Sequence, residues 1–151
     1  MTSGKPSADY ELRPPVSTDE WDAYHAIRRH VLFELRGRGS AYDPNHPDDS
    51  RPGNYPLVLF SHRDGPLGVI RVDVDRDCAT FRRVAIREDE QRRGHGRVLI
   101  EHAEEFARQL GCRRVESIVD AHAIAFYERC GFQRSEPQGG DARAAFMTKD
   151  L

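Results

Sequence analysis

Apolar positions along the chain change their period several times, and each change marks an element. Trp21, Tyr24, Ile27, Val31 and Leu35 recur at helical spacing up to Gly37. Ser17-Thr18-Asp19-Glu20, just before them, has the form of a capping box. Residues 36–56 are polar and rich in turn formers, with Asp43-Pro44 and Pro52-Gly53-Asn54. A connection of that length is more often functional or mobile than structural. Strand-like runs follow at residues 57–61, 67–74 and 80–86, separated by Arg63-Asp64-Gly65-Pro66 and Asp75-Arg76-Asp77 at hairpin distance, which predicts an antiparallel meander. Leu99, Ile100, Ala103, Phe106, Ala107 and Leu110 then share one helical face, and Gly111 is placed to stop that helix. Residues 114–119 read as a further strand; a strand, a helix and a strand make a crossover, so this pair should run parallel. Asp120 is placed to cap a short helix over 121–130 ended by Gly131, and strands at 132–134 and 144–148 flank a turn at 137–141. The order predicts an α/β protein with a mixed sheet: antiparallel meander, parallel β-α-β crossover, C-terminal hairpin.

Composition narrows the class. The 151 residues suit a single domain over 1–151, with residues 1–9 as a flexible polar tail lacking the apolar segment of a secretory signal. A 32% charged and 38% apolar make-up suits a globular protein, and a net charge of −2 gives no bias toward nucleic acid or membrane. Arg82-Arg83 and Arg92-Arg93 are separated by Glu88, Asp89 and Glu90 without interleaved aromatics, which favours a solvated surface over a nucleic-acid face. Cys78, Cys112 and Cys130 have no C-x-x-C spacing and read as free thiols in a reducing cytoplasm. His25 and His30 are five apart, off a shared helical face, and no cysteine joins them, so no metal site is expected. Only Lys5 and Lys149 are lysines. Arginines in any one loop therefore carry less information than glycines do.

The chemistry centres on Gln91-Arg92-Arg93-Gly94-His95-Gly96, between a strand and a helix. Glycines there let the backbone approach a ligand, and the free N–H groups at a helix N-terminus favour phosphate oxygens. The side chain of His95 is expected to face solvent. A dinucleotide fingerprint would need its third glycine at Leu99, and antiparallel hairpins precede the loop, so that alternative fails. Tyr127, between Phe126 and Glu128, reads as half-buried packing on the residues alone.

These residues resemble the GCN5-related N-acetyltransferase (GNAT) family. The loop matches that family's signature of Gln or Arg, two free positions, Gly, one free position, then Gly or Ala. Ala123-Ile124-Ala125-Phe126-Tyr127-Glu128-Arg129-Cys130-Gly131-Phe132 matches its second element. The likeness runs over residues 20–151 and is weakest across 37–56. Many relatives carry Asn where this chain has Asp120.

The resemblance implies acetyl-CoA as cofactor and direct transfer to a primary amine, without an acyl-enzyme. It implies that Gln91, Arg92, Arg93, Gly94, His95, Gly96 and Arg97 hold the pyrophosphate, with Asp120 and Tyr127 nearby. Two central strands would splay so that pantetheine pairs with backbone at Val84, Ala85 and Ile86. Tyr127 would sit beside the coenzyme sulfur. Neutralising a lysine-like amine at pH 7 costs about 4.6 kcal/mol, so a carboxylate or a desolvated pocket is needed. Glu116, Asp120 and Asp73 are the candidates; Glu116 is the nominated base, though the sequence does not choose among them. Asp43, Asp48 and Asp49 lie in the loop without a basic residue between 41 and 50, which predicts a cationic acceptor. The competing class is an acyl-CoA-binding sensor without turnover. The expected partners are a small-molecule or protein amine, with no nucleic acid or membrane, in a monomer or homodimer.

Overall fold

The computed structural model describes residues 9–135 and 144–151. Seven strands form one sheet: β1 (Tyr10–Arg13), β2 (Asn54–Ser61), β3 (Gly65–Asp75), β4 (Cys78–Ile86), β5 (Arg114–Asp120), β6 (Gln133–Arg134) and β7 (Ala144–Asp150). Their order is β1-β2-β3-β4-β5-β7-β6. The meander β2-β3-β4 is antiparallel and β4 pairs with β5 in parallel, as the crossover reading requires. Only β1 escapes the pattern: four residues ending at Pro14-Pro15 are too few to show alternation. The expected turn at 137–141 lies outside the described residues.

Three helices cover the sheet: α1 (Thr18–Arg28), α2 (His95–Gln109) and α3 (Ile124–Arg129). Ser17 caps α1 by accepting from the Glu20 N–H at 3.1 Å. Strand alternation divides the core in two. Leu57, Leu59, Ile70 and Val72 pack under α2, whereas Val58, Val69 and Ala85 meet Tyr24 and Ile27 of α1.

The helix after Ser17 does not run regularly to Gly37. It passes into a π-helical turn over Arg29–Phe33 and a tight 3₁₀ turn over Glu34–Arg36. The wider turn shifts the apolar stripe, so Val31 and Leu32 reach the sheet while Leu35 is left 51% exposed.

Two backbone events open the middle of the sheet. Between the pairs Val69–Ala85 and Arg71–Arg82, β4 carries one residue more than β3, a bulge that includes Arg83 at φ 57°. The bulge reverses the alternation: Phe81 and Val84 both belong to the α2 side, although three positions apart. Pairing between β4 and β5 then ends at Thr80–Glu116, while β5 continues along β7 to Asp120. A gap opens between the two central strands.

Candidate active site

Two cavities meet at that gap. One, about 630 Å³, lies against the glycine loop. The other, about 620 Å³, opens on the α1 side and reaches Tyr127. Leu32, Arg36 and Val84 line both.

The glycine-loop cavity is built from the end of β4, the loop and the head of α2. The Gln91 side-chain amide donates to the Ile86 carbonyl at 2.9 Å and ties the loop to the strand. Arg92 (φ 66°) and Gly94 (φ 87°) both turn left-handed to bring the chain into α2. A Cβ at Gly94 would meet nothing within 4 Å, so glycine is required there by the backbone angle and not by crowding. Gly96 is the reverse case: its Cβ would come within 3.2 Å of the Phe126 ring. The first N–H groups of α2 have no acceptor in a preceding turn and carry the positive end of the helix.

Val84, Ala85, Ile86, Gln91, Arg92, Gly94, Gly96 and Arg97 all line this cavity. Arg93 does not; it extends outward, 3.7 Å from Glu90. His95 is not solvent-facing as expected. Its ring is enclosed between the Tyr10 hydroxyl at 3.1 Å and Glu90 at 3.2 Å, because α2 turns this position toward β1. Only its backbone is left for a ligand. Phe126, Arg129 and Cys130 complete the wall from α3. Their spacing of three and four residues, which puts them on one helical face, is the sequence signal for this wall.

Tyr127 stands in the α1-side cavity. It is buried, with Phe126 and Phe132 edge-on at 5.3 Å each. Ser117, which lines the same cavity, donates to the Phe81 carbonyl at 3.1 Å. Burial pushes the phenol well above its ordinary range, so it stays protonated.

The carboxylates are distributed otherwise than the sequence suggested. Glu116 lines neither cavity. It occupies the last paired position of β4 and β5, below the point where the gap opens, 3.3 Å from Arg114 and beside the Cys78 thiol. Asp120 lines the α1-side cavity but makes no side-chain bond to the helix it precedes; its carboxylate takes Arg36 at 2.9 Å instead. Asp73 is gripped by Arg71 at 2.7 and 2.8 Å and by Arg82 at 3.1 Å. Two of the three aspartates of the acidic loop are likewise paired in space. Asp49 accepts from Arg28 at 2.8 Å and from the Tyr24 hydroxyl at 3.2 Å, and Asp48 lies 3.3 Å from Arg51. Asp43 instead accepts from the Asn45 N–H at 2.9 Å, so the negative excess that the sequence shows is largely, not wholly, offset by folding.

Comparison with known proteins places the chain in a family. The model of the Acetyltransferase (GNAT) family matches residues 16–132. A Bacillus subtilis (strain 168) protein provisionally named an acetyltransferase is 24% identical over 123 residues, 80% of this chain and 83% of that protein. Among solved structures, a provisionally named N-acetyltransferase from Lactobacillus plantarum superposes with a TM-score of 0.77 at 27% identity, covering 94% of this chain and 98% of the other. Spermidine N-acetyltransferase from Vibrio cholerae, in complex with CoA and spermine, reaches 0.73 at 15% identity over 95% and 96% of the two chains. At that identity the likeness is one of fold.

Proposed function

The chain belongs to the GNAT family and is an N-acetyltransferase, and from that premise we propose that it moves an acetyl group from acetyl-CoA directly to a primary amine in the α1-side cavity. The observation that carries this reading is the gap between β4 and β5. It joins a glycine-loop cavity suited to a pyrophosphate with a second cavity holding a buried, protonated tyrosine.

The residues present fit the coenzyme. The turn at Gly94 leaves open space beside the head of α2, and Arg92, Arg97 and Arg129 line the same cavity. Bound there, acetyl-CoA supplies an acyl group already activated on a thiolate leaving group. Val84 and Ile86, past the bulge, no longer pair with β5, which leaves strand edge for the pantetheine arm and an N–H for the developing oxyanion. Direct transfer is favoured by the thiols: burial pushes Cys130, which lines the cavity, up to about 11, too high for an acyl-accepting thiolate at neutral pH. Tyr127 serves as a hydrogen-bond donor to the sulfur as charge develops. An ordinary phenol would already lose about 2 kcal/mol in passing its proton to a thiolate, and the raised pKa makes full transfer less favourable still.

No carboxylate lining the α1-side cavity is without an arginine partner among the described residues. We therefore assign the neutralisation of the amine to its surroundings: clustered guanidinium groups disfavour an ammonium ion. The chain is further assigned as one domain, in a reducing compartment suited to its three free cysteines. No described helix is long and apolar enough to cross a membrane.

The test is acetyl-CoA consumption with a pool of amines, scored by thiol release and by the mass of acetylated product. Product at one acetyl per thiol supports the reading. Tight coenzyme binding with neither thiol nor product sinks it, in favour of a sensor.

A further inference from the structure

The α1-side cavity is lined by five arginines (Arg36, Arg51, Arg71, Arg82 and Arg83) and by three aspartates (Asp48, Asp73 and Asp120). The aspartates take four of those arginines: Asp120 holds Arg36, Asp48 holds Arg51, and Asp73 holds both Arg71 and Arg82. Arg83 is the exception. Among the described residues no carboxylate lies within ion-pair distance of it, and its guanidinium rests 5.4 Å from the centre of the Phe33 ring. A guanidinium held against a ring keeps its N–H edge available, and that edge matches a carboxylate in a two-pronged contact.

Its position is unusual too. Arg83 is the β4 residue at φ 57°, within the bulge and directly before Val84 at the gap. A left-handed arginine in a strand is costly and persists where the surroundings require it. Here it sets a cation one residue from the proposed acyl-transfer point. Five arginines against three aspartates leave the cavity lining with an excess of two positive charges, so the region welcomes an anion and repels a polycation. The exposed Ile118 and the half-buried Leu32 line the same cavity and offer apolar surface alongside.

We propose that the acceptor carries a carboxylate bound by Arg83, so that the substrate is an amino acid rather than a polyamine. Binding at Arg83 also cancels the charge that helps keep a neighbouring ammonium protonated, which eases formation of the attacking amine. This deepens the acetyltransferase reading and rests on it.

The experiment supplies acetyl-CoA with three separate pools: free amino acids, the matching amino-acid amides, and polyamines, with products identified by mass. The best acid is expected to exceed its own amide by at least tenfold in kcat/KM. In Arg83→Gln that preference should collapse toward unity through a rise of about tenfold in KM for the acid, while Arg83→Lys keeps part of it; coenzyme titration serves as the folding control. If amides or polyamines are acetylated as well as or better than acids, the carboxylate inference fails and acetyl transfer stands. A folded Arg83→Gln with unaltered acid preference also overturns it. Coenzyme binding without product from any of the three pools overturns the carboxylate inference, while the acetyltransferase reading falls only if the wider pool of amines also gives neither thiol nor product.

Discussion

At single residues, substitutions of Gly94 and Tyr127 are expected to separate binding from turnover. Gly94 sits at φ 87° with open space where a side chain would stand. Gly94→Val should therefore fold, yet weaken acetyl-CoA binding tenfold or more, since a β-branched residue resists that φ and intrudes on the phosphate. Titration calorimetry on the folded variant checks this, and unaltered affinity would remove the loop from the site. Gly96 offers no such clean test, because a side chain there strikes the Phe126 ring. Tyr127→Phe keeps the ring contacts with Phe126 and Phe132 and deletes only the hydroxyl. A bond to sulfur that strengthens as charge develops belongs to the transition state. We expect kcat to fall about tenfold, at the weak end of acid-type contributions, with little change in coenzyme affinity. Wild-type kcat, with acyl transfer shown to be rate-limiting, would return Tyr127 to packing.

Between elements, α2 is fastened to β7 by a largely buried ion pair. Lys149 Nζ lies 3.1 and 2.9 Å from the two Glu104 carboxylate oxygens and also donates to the Cys130 carbonyl at 2.8 Å. Burial holds the Glu104 pKa above its ordinary value even with Lys149 beside it. Lys149→Met leaves that carboxylate without its cation, which should cost about 3 kcal/mol at neutral pH. The sign of the pH dependence follows from the raised pKa. The deficit is complete above the folded pKa of Glu104 and disappears as pH falls below the unfolded value, because a neutral carboxyl needs no partner. Urea denaturation of both proteins at pH 7 and near pH 4 measures it. An equal deficit at both pH values would mean that Lys149 acts through packing alone.

Across the whole molecule, the proposed ligands touch nearly every layer. The two cavities draw on the segment after α1, on β4 and β5, on the head of α2 and on α3. A ligand binding there stabilises the assembly as a unit. Acetyl-CoA at a hundredfold its Kd should add about 2.7 kcal/mol, which for a chain of this size means a rise of about 5–10 °C in Tm. Calorimetry is expected to show one transition that moves as a whole. Two transitions, only one of which responds, would contradict the single-domain assignment.

Much of this was legible along the chain, because the signals were local. Period-2 runs gave the meander, the stripe from Leu99 to Ala107 gave α2, and the fixed spacing of Gln91, Gly94 and Gly96 marked the loop. Those residues act through backbone conformation, which depends on near neighbours. Charge and exposure did not follow the same rule. Asp49 meets Arg28 across 21 positions, Asp120 meets Arg36, and His95 is enclosed by Tyr10 from a strand too short to foresee. Glu116 differs from Asp120 only in lying below the point where β4 and β5 part. Local pattern was thus enough for the fold class and for the glycine loop proposed to hold the coenzyme. Which carboxylates face the cavity, and that among the described residues Arg83 is its one arginine without a carboxylate partner, emerged only on folding, since electrostatic partners are chosen by proximity in space and not along the chain.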